Sequence, residues 1–388
     1  MLLKPIEQSF KVNYSYSLHF TKGIFSIENT LLKEVISPSD SSKIVKVLFV
    51  VDSGLLEANS WLLKQIDAYG EAFKDSLRIT DILVCPGGEA AKNDQENVEK
   101  ILEGIHKNAI CRHSFVVIIG GGAVIDMAGY AATIAHRGVR LIRVPTTVLA
   151  QNDAAVGVKN GINAFNKKNF IGTFAVPHAI INDIDFLDSL EQRDWIAGVS
   201  EALKVALIKD ANFYKEIKER AEKLKNRDKD AMLYTIYRCA EMHMEHIAKG
   251  GDPFESGSSR PLDFGHWAAH KLEDMTAYSL RHGEAVAKGI ALDLSYAYLL
   301  SYISEDTWSE VLEVMQKIGF DLSLPIFSQK DLQTLLTGIE EFREHLGGQL
   351  TITLIDRIGN KFDVHEIDLQ LMEKAVNLLN EKVKIKVV

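Results

Sequence analysis

The chain has 388 residues, 46% of them hydrophobic and 25% charged, with a formal net charge of −9. That length supports two cores, and the acidic balance excludes a general nucleic-acid or anionic-membrane binder, which needs a basic excess. Cys85, Cys111 and Cys239 stand far apart with no CxxC pair, so neither a cysteine zinc site nor a redox motif is expected; reduced thiols and an N-terminus without a secretory pattern fit a cytoplasmic protein.

In chain order, "KVLFVVDSG" (46–54) predicts a buried strand ending in a turn, and "ANSWLLKQIDAYGEAFK" (58–74) has helical apolar spacing. "ITDILVCPGGE" (79–89) predicts a second strand running into a glycine turn, and "NDQENVEKILEGIHKNAI" (93–110) a helix opened by an Asn/Asp cap. The most apolar window, "SFVVIIGGGAVIDMAGYAATIA" (114–135), is long enough to raise a membrane span, but its glycine triplet and Asp126 predict a strand, a turn and a helix running to 138. "VRLIRVPTT" (139–147) predicts another strand. From about residue 190 the pattern turns helical: 193–210, 211–227, 230–250, the segment after His282 and the tail 369–383, interrupted by the strand-like "QLTITLIDRIG" (349–359). The expected architecture is an α/β, Rossmann-like domain with a mostly parallel sheet (1–190), followed by a mainly α-helical domain (191–388).

Three stretches carry chemistry. In "VVIIGGGAVIDMAG", Gly120, Gly121 and Gly122 let backbone N–H groups approach a pyrophosphate ahead of a helix N-terminus, although the spacing is not G-x-G-x-x-G. "PGGEAAKN" (86–93) adds Glu89 and Lys92 at a neighbouring strand end, where an acidic group can accept ribose hydroxyls. Two such turns in one α/β domain point to a dinucleotide. The segment 144–177 concentrates Thr146, Thr147, Asn152, Asp153, Lys159, Asn163, Lys167, Lys168 and Asn169, a composition suited to phosphate. Glu201 and Lys204 share one face of an apolar helix, and buried charges of that kind need partners or a metal. His266 and His270 stand one helical turn apart, with His282 twelve residues on. No HExxH is present, so a metalloprotease is not indicated. A catalytic zinc held by two of these imidazoles and Glu201, and a set of satisfied core histidines, both remain open on spacing alone.

Six ordered motifs, "GGGAVIDMAG", "RGVRLIRVPTTVLAQNDAAVGVKNGIN", "KKNFIGTF", "AGVSEALK", "FGHWAAH" and "RHGEAVAKGI", resemble the 3-dehydroquinate synthase superfamily, the sugar phosphate cyclases, from about residue 45 to residue 360. The resemblance implies a zinc (or cobalt) site of Glu201, His266 and His282. It implies NAD at Gly120–Gly122, with Asp52, Glu89, Lys92, Asp126, Thr146, Thr147 and Lys168 around it. Asp153, Lys159, Lys204, Arg260, Asp263 and His270 become the catalytic set. Arg137, Lys159, Asn169, Arg260 and His270 become the phosphate set, Arg137 reaching across a homodimer. The implied reaction on a small sugar phosphate oxidises a hydroxyl of a heptulose 7-phosphate transiently, eliminates phosphate, returns the hydride and closes a carbocycle by an aldol step, with no net redox change.

Two departures bear on substrate. "RPLDFGH" carries Asp263 where dehydroquinate synthases have asparagine, and Met244 and Glu245 stand where they have a lysine; "EFREHLGG" (341–348) replaces their late D-K-K. Fewer cations and more anions disfavour a substrate carboxylate. The pattern resembles the cyclases of sedoheptulose 7-phosphate, and His270, where 2-epi-5-epi-valiolone synthases have proline, leans towards a 2-epi-valiolone synthase. The alternatives are a 3-dehydroquinate synthase, an NAD- and zinc-dependent polyol dehydrogenase, and a nucleotide-binding regulator without catalysis.

Overall fold

A computed structural model describes residues 5–37, 43–165, 167–251, 253–254 and 262–384. Among the described residues, eight strands lie in the first half: β1 (Ser17–Thr21), β2 (Val45–Asp52), β3 (Leu77–Cys85), β4 (Phe115–Gly120), β5 (Arg140–Pro145), β6 (Lys159–Ala164), β7 (Lys167–Phe174) and β8 (Ala179–Asp183). Six of them form one parallel sheet in the order β1-β8-β5-β4-β2-β3. The period of two along the strands sends alternate side chains to opposite cores. Leu48, Val50, Val116 and Ile118 pack on one face with Val98, Ile101, Ile125 and Ala128. Val47, Phe49, Val51, Phe115, Val117 and Ile119 pack on the other with Leu62, Ile66 and Tyr69. Both faces are covered, which is why β2 and β4 read as unbroken apolar runs.

The helices of this half are α1 (Leu31–Ile36), α2 (Ser53–Ala58), α3 (Leu62–Ala72), α4 (Gln95–Lys107) and α5 (Gly122–Ile134). The second half contains α6 (Gln192–Ala197), α7 (Val199–Lys209), α8 (Ala211–Lys225), α9 (Lys229–Lys249), α10 (His266–Met275), α11 (His282–Leu299), α12 (Glu305–Ile318), α13 (Gln329–His345) and α14 (Leu369–Lys384). The only strands described there are the hairpin β9 (Ile352–Arg357) and β10 (Asn360–Val364). The α/β region followed by a helical region is the expected class. No described helix is long and apolar enough to cross a membrane; the apolar window 114–135 is β4 and α5.

Several boundaries differ from the reading by pattern. The helix expected over 58–74 is α3, which starts only at Leu62, and a separate short helix that was not expected, α2, precedes it with Asp52 capping at Gly54 N–H. The helix expected to 138 stops at Ile134 in a kinked turn where His136 and Arg137 have positive φ. The helix expected over 193–210 breaks at Gly198, where a Cβ would lie 2.3 Å from Leu149 N. The polar stretch 144–177 is an Ala150–Ala154 π-helical turn and the antiparallel β6–β7 hairpin. Arg143, fully buried on β5, anchors that segment by donating to Ala155 O at 2.8 Å, Lys159 O at 3.3 Å and Asn160 Oδ1 at 2.8 Å. Burial lowers its pKa to about 10, which leaves it charged at neutral pH.

Candidate metal and dinucleotide site

The strand order reverses between β2 and β4: β3 follows β2 outward on one side, and β4 lies on the other. Crevices at such a switch point, beyond the C-terminal strand ends, are where open α/β sheets take ligands. The three strand ends here carry Asp52, Gly87–Gly88 and Gly120–Gly122. A Cβ on Gly87 would lie 2.4 Å from the Asp52 carboxylate, and one on Gly120 would lie 3.0 Å from its Cβ, so these glycines are required for close approach. Burial raises the pKa of Asp52, opposed by the backbone N–H groups of Gly54, Leu55 and Gly121. Thr146 N–H donates to Gly120 O at 3.0 Å, and Thr147 Cγ2 stands at ordinary contact distance from the Gly121 Cβ position. Beside this cradle lies a polar cluster. The buried Lys92 ammonium is 2.9 Å from Asp126 Oδ2 and 3.7 Å from Glu89 Oε1, and it also donates to Asn169 Oδ1. Burial disfavours the ammonium, but Asp126 and Glu89 outweigh it and raise its pKa. Asn163 donates to Glu89 at 3.1 Å and accepts from Asn169 N–H at 2.9 Å. Glu89, Lys92 and Asp126 thus share one cluster, in which Asn169, a phosphate candidate, also sits, whereas Lys168, expected on the cofactor, pairs with Glu273 at 2.7 Å.

The second cluster comes from α7, α10 and α11. Glu201 is 1% exposed on α7, His266 opens α10, and His282 opens α11. One ligand atom from each lies within 4.8 Å of the others. Close packing of α10 on α11 makes this possible. Gly265 adopts φ +79° and its Cβ would lie 2.5 Å from Ile290 N; a Cβ on Gly289 would lie 2.0 Å from Gly265 O. Asp293 on α11 accepts from Gly265 N–H at 3.0 Å and from Trp267 Nε1–H at 2.8 Å, gripping the start of α10 from both sides of His266. Burial raises the Asp293 carboxyl to about 7.

The donor set suits a divalent ion. His266 Nδ1 is 3.2 Å from Phe264 O, which only accepts, so Nδ1 carries the proton and Nε2 keeps its lone pair. Burial first, and then the neighbouring Lys204, His282 and His270, hold His266 well below its ordinary pKa and therefore neutral. His282 Nδ1 is 3.1 Å from Glu273 Oε2. Burial alone would raise the Glu273 carboxyl, but His282 and Lys168 bring it down to about 2; it is ionised and only accepts, so it engages Nδ1–H, raises the His282 pKa against burial, and leaves Nε2 as the nitrogen that an ion would take in exchange for a proton. Glu201 Oε1 is buried with no hydrogen-bond partner among the described residues and stands 3.9 Å from His266 Nε2. Two imidazole nitrogens and an orphaned carboxylate oxygen are the ligands zinc takes at a site with an open position.

Around the three stand most of the catalytic candidates. Lys204 pairs with the Glu201 carboxylate; burial disfavours its charge, but Glu201, Asp153 and Asp263 reverse this and raise its pKa. The His270 ring lies 5.7 Å from that of His266 and 6.1 Å from that of His282. Asp153 Oδ1 is 3.1 Å from His243 Nδ1; burial pushes Asp153 up, but His243, Lys204 and His266 hold it well below the usual carboxylate range. Lys159 is exposed at the start of β6, and Arg137 is exposed in its turn. Arg260 lies outside the described residues.

Three side chains were not anticipated. Glu273 follows His266 and His270 on the i, i+4, i+7 face of α10, a spacing that could have signalled it. His243 continues the buried Cys239 and Ala240 face of α9. Asp293 had no sequence signal. One expectation is corrected: Glu245 adds no charge to the site, because it is exposed on α9 and pairs with Lys249 at 2.9 Å. In "EFREHLGG", Glu341 pairs with Lys271 at 2.6 Å and Phe342 is buried.

Residues 82–197 match the family described as 3-dehydroquinate synthase N-terminal, and residues 198–341 match 3-dehydroquinate synthase C-terminal. A 3-dehydroquinate synthase of Buchnera aphidicola subsp. Baizongia pistaciae is 32% identical over 279 residues, 72% of this chain and 77% of that protein. A 2-epi-5-epi-valiolone synthase from Streptomyces hygroscopicus subsp. jinggangensis, solved with NAD⁺ and Zn²⁺, superposes with TM-score 0.86 at 25% identity, over 97% of this chain and 99% of that one. A 2-deoxy-scyllo-inosose synthase, solved with carbaglucose-6-phosphate, NAD⁺ and Co²⁺, shares the fold at TM-score 0.75 and 21% identity, over 94% of this chain and 96% of that one.

Proposed function

The chain belongs to the 3-dehydroquinate synthase family, and on that premise we propose that it is a cytoplasmic, homodimeric sugar phosphate cyclase converting sedoheptulose 7-phosphate to a C7 carbocycle with release of phosphate. The observation that carries this reading is the Glu201–His266–His282 cluster with Lys204, Asp153, Asp263 and His270 around it. Glu201, His266 and His282 hold the divalent ion, and the strand ends at Asp52 and Gly120–Gly122 hold NAD. When bound, NAD accepts and returns a hydride, and the ion acts as a Lewis acid. Lys204, kept protonated by three carboxylates, donates to a substrate oxygen beside Glu201. Asp153, kept ionised, accepts from a substrate hydroxyl. Lys159, Arg260, Asn169 and His270, with Arg137 from across the dimer, bind and stabilise the departing phosphate.

Asp263 supports the choice of substrate. Its carboxylate acts on Lys204, where the asparagine of dehydroquinate synthases would carry no charge. Against a substrate carboxylate at roughly 4–6 Å, like charge costs on the order of 1–4 kcal/mol, a discrimination of about 5-fold to 700-fold. Towards the hydroxymethyl group of sedoheptulose 7-phosphate, Asp263 is instead a hydrogen-bond acceptor. The product follows the valiolone synthase pattern, with the 2-epi-valiolone stereochemistry that His270 favours. The test is incubation with NAD⁺, Zn²⁺ and either sedoheptulose 7-phosphate or the carboxylated heptulosonate 7-phosphate precursor of 3-dehydroquinate, following inorganic phosphate and absorbance at the NADH band. Phosphate release from the first substrate alone, without NADH accumulation, is expected. Release only from the carboxylated substrate would make this a dehydroquinate synthase, and stoichiometric NADH would make it a dehydrogenase.

A further inference from the structure

We propose that Glu273 is a positioning residue of the metal centre, orienting His282 through one carboxylate oxygen while Lys168 ties the other to the dinucleotide side of the molecule. Glu273 lies on α10 with its side chain 3% exposed. Its two oxygens are divided between two partners: Lys168 Nζ at 2.7 Å from Oε1, and His282 Nδ1 at 3.1 Å from Oε2. A buried carboxylate is costly unless its lone pairs are used, and here each oxygen is committed. The second contact fixes the His282 tautomer. With Nδ1–H spent on Glu273, only Nε2 remains for an ion, and the ring cannot swing without breaking that hydrogen bond. Carboxylate–histidine–metal arrangements act in this way, raising the basicity of the ligand and holding the ring in place.

The first contact crosses the molecule. Lys168 belongs to β7, in the hairpin that closes over the α/β region, and its ammonium also lies 5.3 Å from the centre of the Tyr278 ring on the loop between α10 and α11. The next residue, Asn169, receives a hydrogen bond from Lys92 beside Asp126. One two-residue step of β7 therefore joins the cluster assigned to the dinucleotide to a ligand of the metal cluster. Among the described residues, Glu273 is the carboxylate at hydrogen-bonding distance from His282 Nδ1.

This inference rests on the reading of Glu201, His266 and His282 as metal ligands. The test is the zinc affinity of the metal-stripped full-length protein, by competition with a chromophoric chelator, for wild type, Glu273→Gln, Glu273→Ala and Lys168→Met. Melting temperatures of the metal-free proteins and the visible spectra of Co²⁺-loaded samples accompany it. Glu273→Gln should lower zinc affinity about 10–100-fold and shift the Co²⁺ bands, with the metal-free melting temperature little changed. Lys168→Met should lie towards the low end of that range and decides the matter if the Glu273 variants do not fold. Wild-type affinity and an unchanged Co²⁺ spectrum in Glu273→Gln, or in Lys168→Met where that variant decides, would overturn the inference. Absence of zinc binding by the wild type would instead overturn the metal reading on which it rests.

Discussion

Replacing Gly289 by alanine separates helix propensity from the packing that builds the metal cluster. Gly289 lies within α11, where alanine is intrinsically favoured by about 1 kcal/mol. The added Cβ, however, would lie 2.0 Å from Gly265 O and 2.9 Å from Gly265 C, and that carbonyl belongs to the residue directly before His266. Cβ contacts below 3.0 Å are essentially never seen, so α10 and α11 must part by about 1 Å, far beyond the ~0.2 Å tolerance of a metal–ligand distance. Overpacking of this kind costs about 1–3 kcal/mol, so the net loss of stability is about 0–2 kcal/mol, a few degrees in melting temperature at most. Zinc affinity should fall by about 10-fold or more, as when the orientation of a ligand is disturbed. The assay is chelator competition on the metal-stripped protein, with circular dichroism to show that helix content is retained. Zinc binding as tight as wild type together with a raised melting temperature would refute the argument, since it would mean that the Gly265–Gly289 approach does not set the position of His266.

Other perturbations test neighbouring parts of the structure. His282→Ala should abolish both zinc retention and turnover, whereas His270→Ala should spare the metal; metal analysis giving the reverse order would exchange their roles. Asp293 has a carboxyl raised from 3.8 to about 7, so the folded state favours its protonated form. Its contribution is fully present below about pH 3.8 and is lost as pH rises towards 7, ~4 kcal/mol in all at 1.36 kcal/mol per pH unit. Denaturant unfolding across that window should show a shallower decline of stability for Asp293→Asn than for wild type, and an identical slope would count against a buried, protonated Asp293. Lys92→Met leaves Asp126 and Glu89 without their shared cation. It should cost about 1–3 kcal/mol, less than a fully enclosed pair because water reaches both carboxylates, and should weaken NAD⁺ binding in a calorimetric titration; wild-type affinity would remove Lys92 from the dinucleotide side.

Much of this protein is local enough to be read from the chain alone. Buried strands of a doubly covered sheet are continuous apolar runs, so β2 and β4 declare themselves, and the glycines after β4 mark the turn because nothing larger allows that approach. Glu201, His266 and His282 are recognisable from short motifs whose residue types are dictated by metal chemistry, although bare spacing equally suggests His266 with His270. The remaining features depend on contacts between distant segments. β1 pairs with β8 from Ser17↔Ala179 onward, a partnership that no short pattern encodes and that places a half-exposed edge strand in the sheet. Which face of α9 meets the site decides that His243, and not Glu245, stands near Asp153; a helix offers every residue a direction, and only its neighbours determine which one is buried. Glu273 looks like an ordinary helical glutamate until β7 brings Lys168 to one of its oxygens and α11 brings His282 to the other. Sequence carries the identity of the chemical groups and their local periodicity, while the distances between groups on different elements, which set protonation, tautomer and ligand geometry, exist only once those elements are packed.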